Sequence, residues 1–264
     1  MPRDVRIANG YPHSIRRLEN GTLRDAVAKG FLSRFATRDI ESGKDDFDGA
    51  LDTTFWAVAN SGGTSAANFA VDAPCGTITG DTGTTDNGSI SLVSDFKFKG
   101  DQNCGMEIAI QTDIVADFNL EVGFASAVPG SNASVVSDVD TPAITADAAI
   151  LTVDTDQTLT TLAFVTDGST ANQDVKATTI SGAPGLTNGN FPVAATYMVV
   201  RIELSGNSAY CYINGKLVAS HDDDPQGNIE GGTGLGIWVY CRTRSTTAVF
   251  PKIDYVEYWQ ERSW

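Results

Sequence analysis

The sequence is poor in basic residues and histidine, and each shortage argues against a class of function. Only 18 of its 264 residues are lysine or arginine, against 33 aspartates and glutamates, so the formal net charge is −15. Nucleic-acid binding relies on Lys and Arg to displace counterions from phosphates, so this balance argues against it. The chain has only two histidines, His13 and His221, and this small number argues against a zinc site or a Ser-His-Asp site.

Cysteine is also scarce, and its spacing matches no CxxC metal pattern and no disulfide-dense scaffold. The sequence lacks the zinc-protease, P-loop and dinucleotide-binding motifs as well. We therefore expect no metal and no cofactor, and we interpret the four cysteines as free or structural thiols: Cys75, Cys104, Cys211 and Cys241.

Long hydrophobic runs are absent too. No window approaches the roughly 18 apolar residues of a membrane span. The opening Met1–Arg6 lacks the apolar segment of a signal peptide. We predict a soluble chain, made in the cytosol, with no membrane partner. Its length and its 41% hydrophobic content suffice for one main β-sandwich core.

Half of the basic residues lie near the N terminus. Residues 1–44 carry nine Lys or Arg and five Asp or Glu, a net +4, whereas residues 45–264 carry nine and 28, a net −19. Between Thr22 and Arg38, apolar residues recur near the helical period, which predicts a short amphipathic helix. Three interpretations of this basic arm remain open. It packs on its own sandwich, it docks on a neighbouring subunit, or it lies on a membrane surface.

From Asp45 onward, short β-rich runs alternate with turn residues, which predicts an all-β sandwich of two sheets. Asn214-Gly215 is the strongest hairpin signal, because both central residues of a type I′ turn take positive φ. Residues 126–148 and 166–194 are rich in small and polar residues and are predicted to be largely surface loops. The predicted strands are Thr54–Val58, Gly88–Phe98, Met106–Thr112, Leu120–Ala125, Ala149–Val153, Leu159–Val165, Val175–Thr179, Tyr197–Leu204, Ser208–Ile213, Lys216–Ser220, Gly234–Cys241 and Val249–Gln260.

Four segments carry a family resemblance: DDFDGALDTTFWAVANSGG, VRIELSGNSAYCYINGKLVASH, EGGTGLGIWVYCR and KIDYVEYWQ. Together they resemble the concanavalin A-like lectin and glucanase jelly rolls, including the LamG-like and family 16 glycoside hydrolase branches. The resemblance covers about residues 45–262 and implies a concanavalin A-like jelly roll after an N-terminal arm of residues 1–44. This fold carries hydrolases, lectins and structural modules, so it implies no single activity.

Acidic residues do not reproduce the catalytic pattern of that family. The E-x-D-x-x-E strand of family 16 hydrolases is absent, and Glu107 and Glu121 each stand alone on a predicted strand. Asp113 lies about 20 Å along the strand from Glu107. A retaining pair needs carboxyl groups about 5 to 5.5 Å apart. We therefore expect a protein without enzymatic activity.

Two acidic runs and one histidine give weaker signals. Residues 45–48 and 222–224 each contain three aspartates, but neither run has the alternating spacing of a tuned Ca²⁺ loop. His221 precedes the second run, and we interpret it as a solvated residue at the end of a hairpin.

Aromatic residues in the last third have two interpretations. Alternation places Trp238 and Tyr240 on one side of their strand, and Tyr255, Glu257 and Trp259 on one side of another. Either these rings pack in the core, or Trp238, Tyr240, Tyr255 and Trp259 form a carbohydrate-binding face of the kind seen in lectin-type relatives.

The resemblance extends to tailed-phage virion proteins with concanavalin A-like domains. It implies a structural protein of the virion surface, a capsid decoration or cement protein that binds the major capsid protein. Decoration proteins resembling this role are often trimeric, so we expect a homo-oligomer. The alternatives are a lectin-like module that binds host glycans and a divergent glycoside hydrolase using Glu107, Glu121 or Glu257. The expected capsid contacts are Arg3, Arg6, Arg16, Arg17, Leu23, Arg24, Val27, Phe31 and Phe35.

Overall fold

The computed structural model describes residues 40–61, 69–72, 76–127, 133–138, 143–144, 146–157, 161–167, 175–206, 208–221 and 234–261. Within these ranges the regular elements are β-strands and one 3₁₀ turn at Gly100–Gln102, and no helix is long and apolar enough to cross a membrane. The predicted helix, the predicted capsid contacts from Arg3 to Phe35, and Asp222–Asp224 lie outside the described residues.

The strands form two antiparallel sheets and a small hairpin. They are β1 Ile40–Asp45, β2 Trp56–Ser61, β3 Phe69–Asp72, β4 Thr77–Gly80, β5 Ser89–Ser94, β6 Gly105–Thr112, β7 Phe118–Ala125, β8 Val136–Asp138, β9 Ala143–Ile144, β10 Ala148–Asp154, β11 Ala163–Asp167, β12 Lys176–Thr179, β13 Met198–Ser205, β14 Ser208–Ile213, β15 Lys216–His221, β16 Gly236–Thr243 and β17 Pro251–Glu261. The eight-stranded sheet has the order β15-β14-β13-β6-β17-β4-β3, with β1 also paired to β17. The seven-stranded sheet has the order β12-β11-β10-β7-β16-β5-β2, and β8 pairs with β9 alone.

The main core lies between the two sheets and follows from strict alternation along the strands. On β7, Phe118, Leu120, Val122 and Phe124 point into it, so Glu121 points the other way. Burial of each large side chain of this kind stabilises the fold by about 1.5 to 3 kcal/mol. The alternation also gives each sheet an outer face, which carries every second side chain of its strands.

The hairpin prediction at Asn214-Gly215 is confirmed. The two residues have φ angles of 49° and 80° between β14 and β15, as a type I′ turn requires. The predicted two-sheet sandwich is likewise confirmed, and each predicted strand overlaps an observed one. Five short strands were not predicted, because they are too brief or too mixed in composition to show alternation: β1, β3, β4, β8 and β9.

Two surface predictions are wrong. Residues 126–148 contain β8 and β9, and Val135, Val136 and Ile144 are buried. His221 is also buried: its Nδ1 lies 2.7 Å from Thr166 Oγ1, and its Nε2 lies 3.0 Å from Thr178 Oγ1. These contacts join the edge strand β15 of one sheet to β11 and β12 of the other. This histidine is therefore buried by contacts between the two sheets. The sequence near His221 gives no sign of these contacts.

Three of the cysteines are buried free thiols, as the sequence analysis predicted: Cys104, Cys211 and Cys241. Cys211 and Cys241 point into the main core. Burial raises the pKa of all three thiols, to about 12 for Cys104. These side chains fill space between the sheets and remain protonated at neutral pH.

One of the acidic runs has a structural role. Asp45 Oδ2 accepts a hydrogen bond of 2.8 Å from Trp56 Nε1, and its Oδ1 accepts one of 2.9 Å from the Phe47 backbone N–H. Asp46 forms an ion pair with Lys44. Asp45 therefore satisfies the polar edge of a buried tryptophan at the start of the sandwich.

Candidate functional site

A cluster of buried polar side chains lies on the outer face of the seven-stranded sheet. Strand register places the side chains of β5, β16, β7 and β10 in rows that run across the sheet. The central row contains Ser91, Tyr240, Glu121 and Thr152; one neighbouring row contains Val93, Trp238, Gly123 and Ile150, and the other contains Ser89, Arg242, Asn119 and Asp154.

Glu121 is the centre of this cluster and is fully buried. Its Oε2 accepts hydrogen bonds from Trp238 Nε1 at 2.7 Å and from the Val135 backbone N–H at 2.9 Å. Its Oε1 accepts one from the Val136 backbone N–H at 2.8 Å. All three groups can only donate, so they fill three of the roughly four acceptor positions of an ionised carboxyl group.

Burial raises the pKa of Glu121 to about 7, because a carboxylate loses its hydration there. The hydrogen bonds from Trp238, Val135 and Val136 oppose this shift, and the negative charge of Asp154 adds to it. The carboxyl group therefore changes its charge near neutral pH, although it lies out of contact with solvent.

Trp238 and Tyr240 form an aromatic pair beside Glu121. Their ring centroids lie 5.8 Å apart and their planes differ by 10°. Both side chains are fully buried, and burial raises the pKa of Tyr240 to about 12. These rings belong to a second apolar cluster, separate from the main core, that also contains Val93, Ala125, Val135, Val136, Ile144, Ala148, Ile150, Ala163 and Val165.

In the row that contains Asn119 and Asp154, hydrogen bonds and an ion pair hold the Asp154 carboxylate. Asp154 accepts hydrogen bonds from Asn119 Nδ2 at 2.8 Å and from Arg244 Nε at 3.0 Å, and Arg244 Nη2 forms an ion pair with it. Arg244 Nη1 also donates to Asn87 Oδ1 at 3.0 Å. The side chains of Asn119 and Arg244 therefore fix the Asp154 carboxylate.

Several polar atoms around Glu121 are buried and have no hydrogen-bond partner among the described residues. They are Ser91 Oγ, Asn119 Oδ1, Thr152 Oγ1 and Arg242 Nε. A buried polar atom that is left without any partner costs about 1 to 3 kcal/mol.

Two of the three predicted carboxylates, Glu107 and Glu257, are cross-strand neighbours, and Glu121 lies apart from them. Glu121 lies on the outer face of the seven-stranded sheet, whereas Glu107 and Glu257 lie opposite each other on the outer face of the eight-stranded sheet. On its own strand, Glu121 has Asn119 and Gly123 as its same-face neighbours, and neither carries a carboxyl group. The outer face of the seven-stranded sheet thus lacks two carboxyl groups set across an open cleft.

The outer face of the eight-stranded sheet is charged and aromatic. Glu107 Oε1 accepts a hydrogen bond of 3.0 Å from Tyr255 Oη. The Arg201 guanidinium lies 4.2 Å from the centroid of the Tyr212 ring, and its Nε lies 3.4 Å from Glu203 Oε1. Arg201 is 6% exposed, because it lies flat against its neighbours on this face.

The four aromatic residues of the predicted carbohydrate face lie on two different surfaces. Trp238 and Tyr240 are under Val135 and Val136 on the seven-stranded sheet, whereas Tyr255 and Trp259 are half-buried on the eight-stranded sheet. Trp259 lies across Gly105, where a Cβ atom would overlap the indole ring. Any sugar-stacking surface built from this set would contain only its second pair.

Glu121 and Trp238 were predicted separately as candidate residues, but their contact was not predicted. Asn119, Asp154 and Arg244 were not predicted at all. Glu121 and Trp238 are 117 positions apart, and only the pairing of β7 with β16 brings them together. The one available signal was that an isolated acid lay in a strand of otherwise apolar core residues.

Solved structures share this architecture. The Bacillus licheniformis β-glucanase aligns with 82% of this chain and 97% of its own length, at 14% identity and a TM-score of 0.55. The catalytic domain of an endo-1,3-β-glucanase (laminarinase) from Thermotoga petrophila RKU-1 aligns over 86% and 100%, at 11% identity and a TM-score of 0.58. The fold is a concanavalin A-like jelly roll.

A carbohydrate recognition domain has the same jelly roll. The Emp47p domain aligns with 83% of this chain and 94% of its own length, at 12% identity and a TM-score of 0.55. No family model and no curated protein sequence matches the chain. At these identities the neighbours share a fold with this chain, and that fold serves both hydrolases and carbohydrate-binding domains.

Proposed function

We propose that this chain is a non-enzymatic structural protein of a tailed-phage virion, a decoration protein that binds the major capsid protein. The N-terminal arm is the attachment element, and the jelly roll projects from the capsid surface. The protein acts as a homo-oligomer, with no turnover of a substrate. The observation that best supports the absence of turnover is the closed outer face around Glu121.

A glycoside hydrolase requires an open cleft in which two carboxyl groups flank the glycosidic bond. Here Glu121, Trp238 and Tyr240 are fully buried, and the backbone of Val135 and Val136 occupies the acceptor sites of the carboxyl group. Asp154 is occupied by Arg244 and Asn119. These contacts support a role without catalysis for the outer face of the seven-stranded sheet; Glu107 and Glu257, opposite each other on the other sheet, are tested separately below.

The charge distribution supports attachment through the arm. Residues 1–44 carry a net +4 and residues 45–264 a net −19. A basic segment is attracted to acidic grooves of a partner, while acidic bodies repel one another and keep particles dispersed. The resemblance to phage virion proteins makes the capsid the partner that we propose.

Charge reversal in the full-length chain tests this attachment. Substituting Glu for Arg16, Arg17 and Arg24 should abolish co-sedimentation with capsid shells, since each change replaces attraction with repulsion. The matched control reverses three lysines of the sandwich and should bind normally: Lys176, Lys216 and Lys252. Full capsid binding by the arm variant, or loss of binding only in the control, would refute the proposal.

A carbohydrate-binding module is the second candidate. It is supported by Tyr255 and Trp259 on one outer face and by the Emp47p carbohydrate recognition domain among the structural neighbours. On a glycan array, binding that disappears in Trp259→Ala and persists in Trp238→Phe would favour this role. The Trp238→Phe variant is a suitable control because Trp238 is buried on the other sheet.

A divergent glycoside hydrolase is the third candidate, supported by the glucanases among the neighbours and by the cross-strand pair of Glu107 and Glu257. The test is turnover of β-glucans by the wild type and by three amide variants: Glu107→Gln, Glu121→Gln and Glu257→Gln. Turnover that one of these substitutions abolishes would replace the structural role with an enzymatic one.

A further inference from the structure

The hairpin of β8 and β9 lies over the outer face of the seven-stranded sheet. We name the segments Ser134–Asp138 and Ala143–Ile144 the groove cover. They form a separate two-stranded sheet with no ladder to either large sheet. The groove cover is therefore attached to the seven-stranded sheet through side chains, as an added layer.

Apolar contacts supply one part of this attachment. Val135, Val136 and Ile144 of the groove cover are at most 1% exposed, and they pack in one cluster with Trp238 and Tyr240. This cluster is distinct from the main core between the two sheets. Separating the groove cover from the sheet would open the second cluster and leave the main core closed.

Glu121 supplies the polar part of the attachment. Its two oxygens accept hydrogen bonds from consecutive backbone N–H groups, Val135 at 2.9 Å and Val136 at 2.8 Å. The third contact, from Trp238 Nε1 at 2.7 Å, fixes the carboxyl group to the sheet below. One carboxyl group thus joins the groove cover to the aromatic pair that it conceals.

We propose that the groove cover opens as a unit while both large sheets stay folded, and that the Glu121 carboxyl group is the latch that holds it closed. Opening breaks the two backbone contacts of Glu121 and exposes Trp238 and Tyr240. The inference rests on the separateness of the two apolar clusters and does not depend on the proposed function.

Amide hydrogen exchange of the full-length protein tests the latch. In Glu121→Gln, an amide N–H₂ replaces one acceptor oxygen, so a backbone donor in the groove cover loses its partner. The protection of the Val135 and Val136 amides should fall about 10- to 100-fold, the effect of a lost charge-assisted hydrogen bond. The amides of Val122 and Val239, within the seven-stranded sheet, should keep their protection.

Thr152→Val is the matched control, because Thr152 lies directly opposite Glu121 on β10 and its hydroxyl has no partner among the described residues. It should leave the Val135 and Val136 amides as protected as in the wild type. Equal losses at the groove cover and at the sheet in Glu121→Gln, or unchanged protection at Val135 and Val136, would overturn the proposal.

A wild-type measurement covers the case in which Glu121→Gln does not fold. In subdenaturing urea, the Val135 and Val136 amides should exchange with a much weaker urea dependence than those of Val122 and Val239, since local opening exposes little surface. The same urea dependence at all four amides would mean that the groove cover unfolds only with the whole domain, and the proposal would fail.

Discussion

The two outer faces of this jelly roll show how the same strand alternation can end in opposite environments. On the seven-stranded sheet, Glu121 and Trp238 are fully buried beneath the groove cover. On the eight-stranded sheet, Glu107 and Tyr255 form a similar acid–aromatic hydrogen bond, but both side chains are only partly buried. The sheets dictate which side chains point outward, and the connecting segments decide whether those side chains meet solvent.

The two outer faces also differ in the electrostatic environment of their acidic side chains. Burial raises the pKa of Glu121 to about 7, whereas the acid of the other face, Glu107, is partly solvated and accepts a hydrogen bond from Tyr255. Removing the same kind of contact should therefore cost more on the seven-stranded sheet than on the eight-stranded one.

The largest contrast is expected from truncating one tryptophan on each face. Trp238→Ala should lower the free energy of unfolding by about 3 to 5 kcal/mol, because it leaves a cavity in the second cluster and removes a donor to Glu121. Trp259→Ala, at a half-buried position, should cost clearly less. Urea denaturation of both variants gives the values, and equal losses would contradict the difference between the faces.

The next largest expected effect is a dependence of the free energy of unfolding on pH that arises from Glu121. Its pKa is about 7 in the folded protein and near 4.5 when solvated, so the folded state binds the proton more tightly. The stability of the wild type should therefore fall by about 3 kcal/mol as pH rises from 4 to 8, relative to that of Glu121→Gln. The charged or titratable groups nearest to Glu121 in the register are Asp154, Tyr240 and Arg242.

Parallel urea titrations of wild type and Glu121→Gln at pH 4, 6 and 8 measure that difference directly. Because both proteins share every other titrating group, the difference isolates Glu121. A wild type that gains stability relative to the variant as pH rises would reverse the sign and show that the hydrogen bonds outweigh the loss of hydration.

A smaller effect is expected from Tyr255→Phe. The change removes the hydroxyl group that donates to Glu107 at 3.0 Å and leaves the ring in place. Since Glu107 and Tyr255 are partly solvated, the loss should be about 0.5 to 1 kcal/mol. Trp238→Phe removes the corresponding donor to Glu121 and should cost more; the reverse order would contradict the contrast.

The smallest effect is expected from Thr152→Val. The hydroxyl group of Thr152 is buried without a partner among the described residues, and valine has nearly the same shape. Its replacement should leave the stability unchanged or raise it by about 1 kcal/mol. A clear loss in thermal denaturation would mean that this hydroxyl group makes a stabilising contact in solution.

Features that depend on neighbouring residues could be predicted from the sequence, and features that depend on register could not. The Asn214-Gly215 turn and the strand that follows it are local, so their patterns were sufficient. The contact of Glu121 with Trp238 depends on which strands pair and in what register. Val135 and Val136 lie in a stretch of small polar residues, so the local composition did not indicate that they are buried.

The three buried thiols have a consequence for the covalent chemistry of the chain. Only the thiolate attacks disulfides or oxidants, and the raised pKa values of Cys104, Cys211 and Cys241 leave almost none of it at neutral pH. With no access for glutathione or peroxide, these sulfur atoms resist both mixed-disulfide formation and sulfenic acid formation. The covalent structure of this core should therefore be the same under reducing and oxidising conditions.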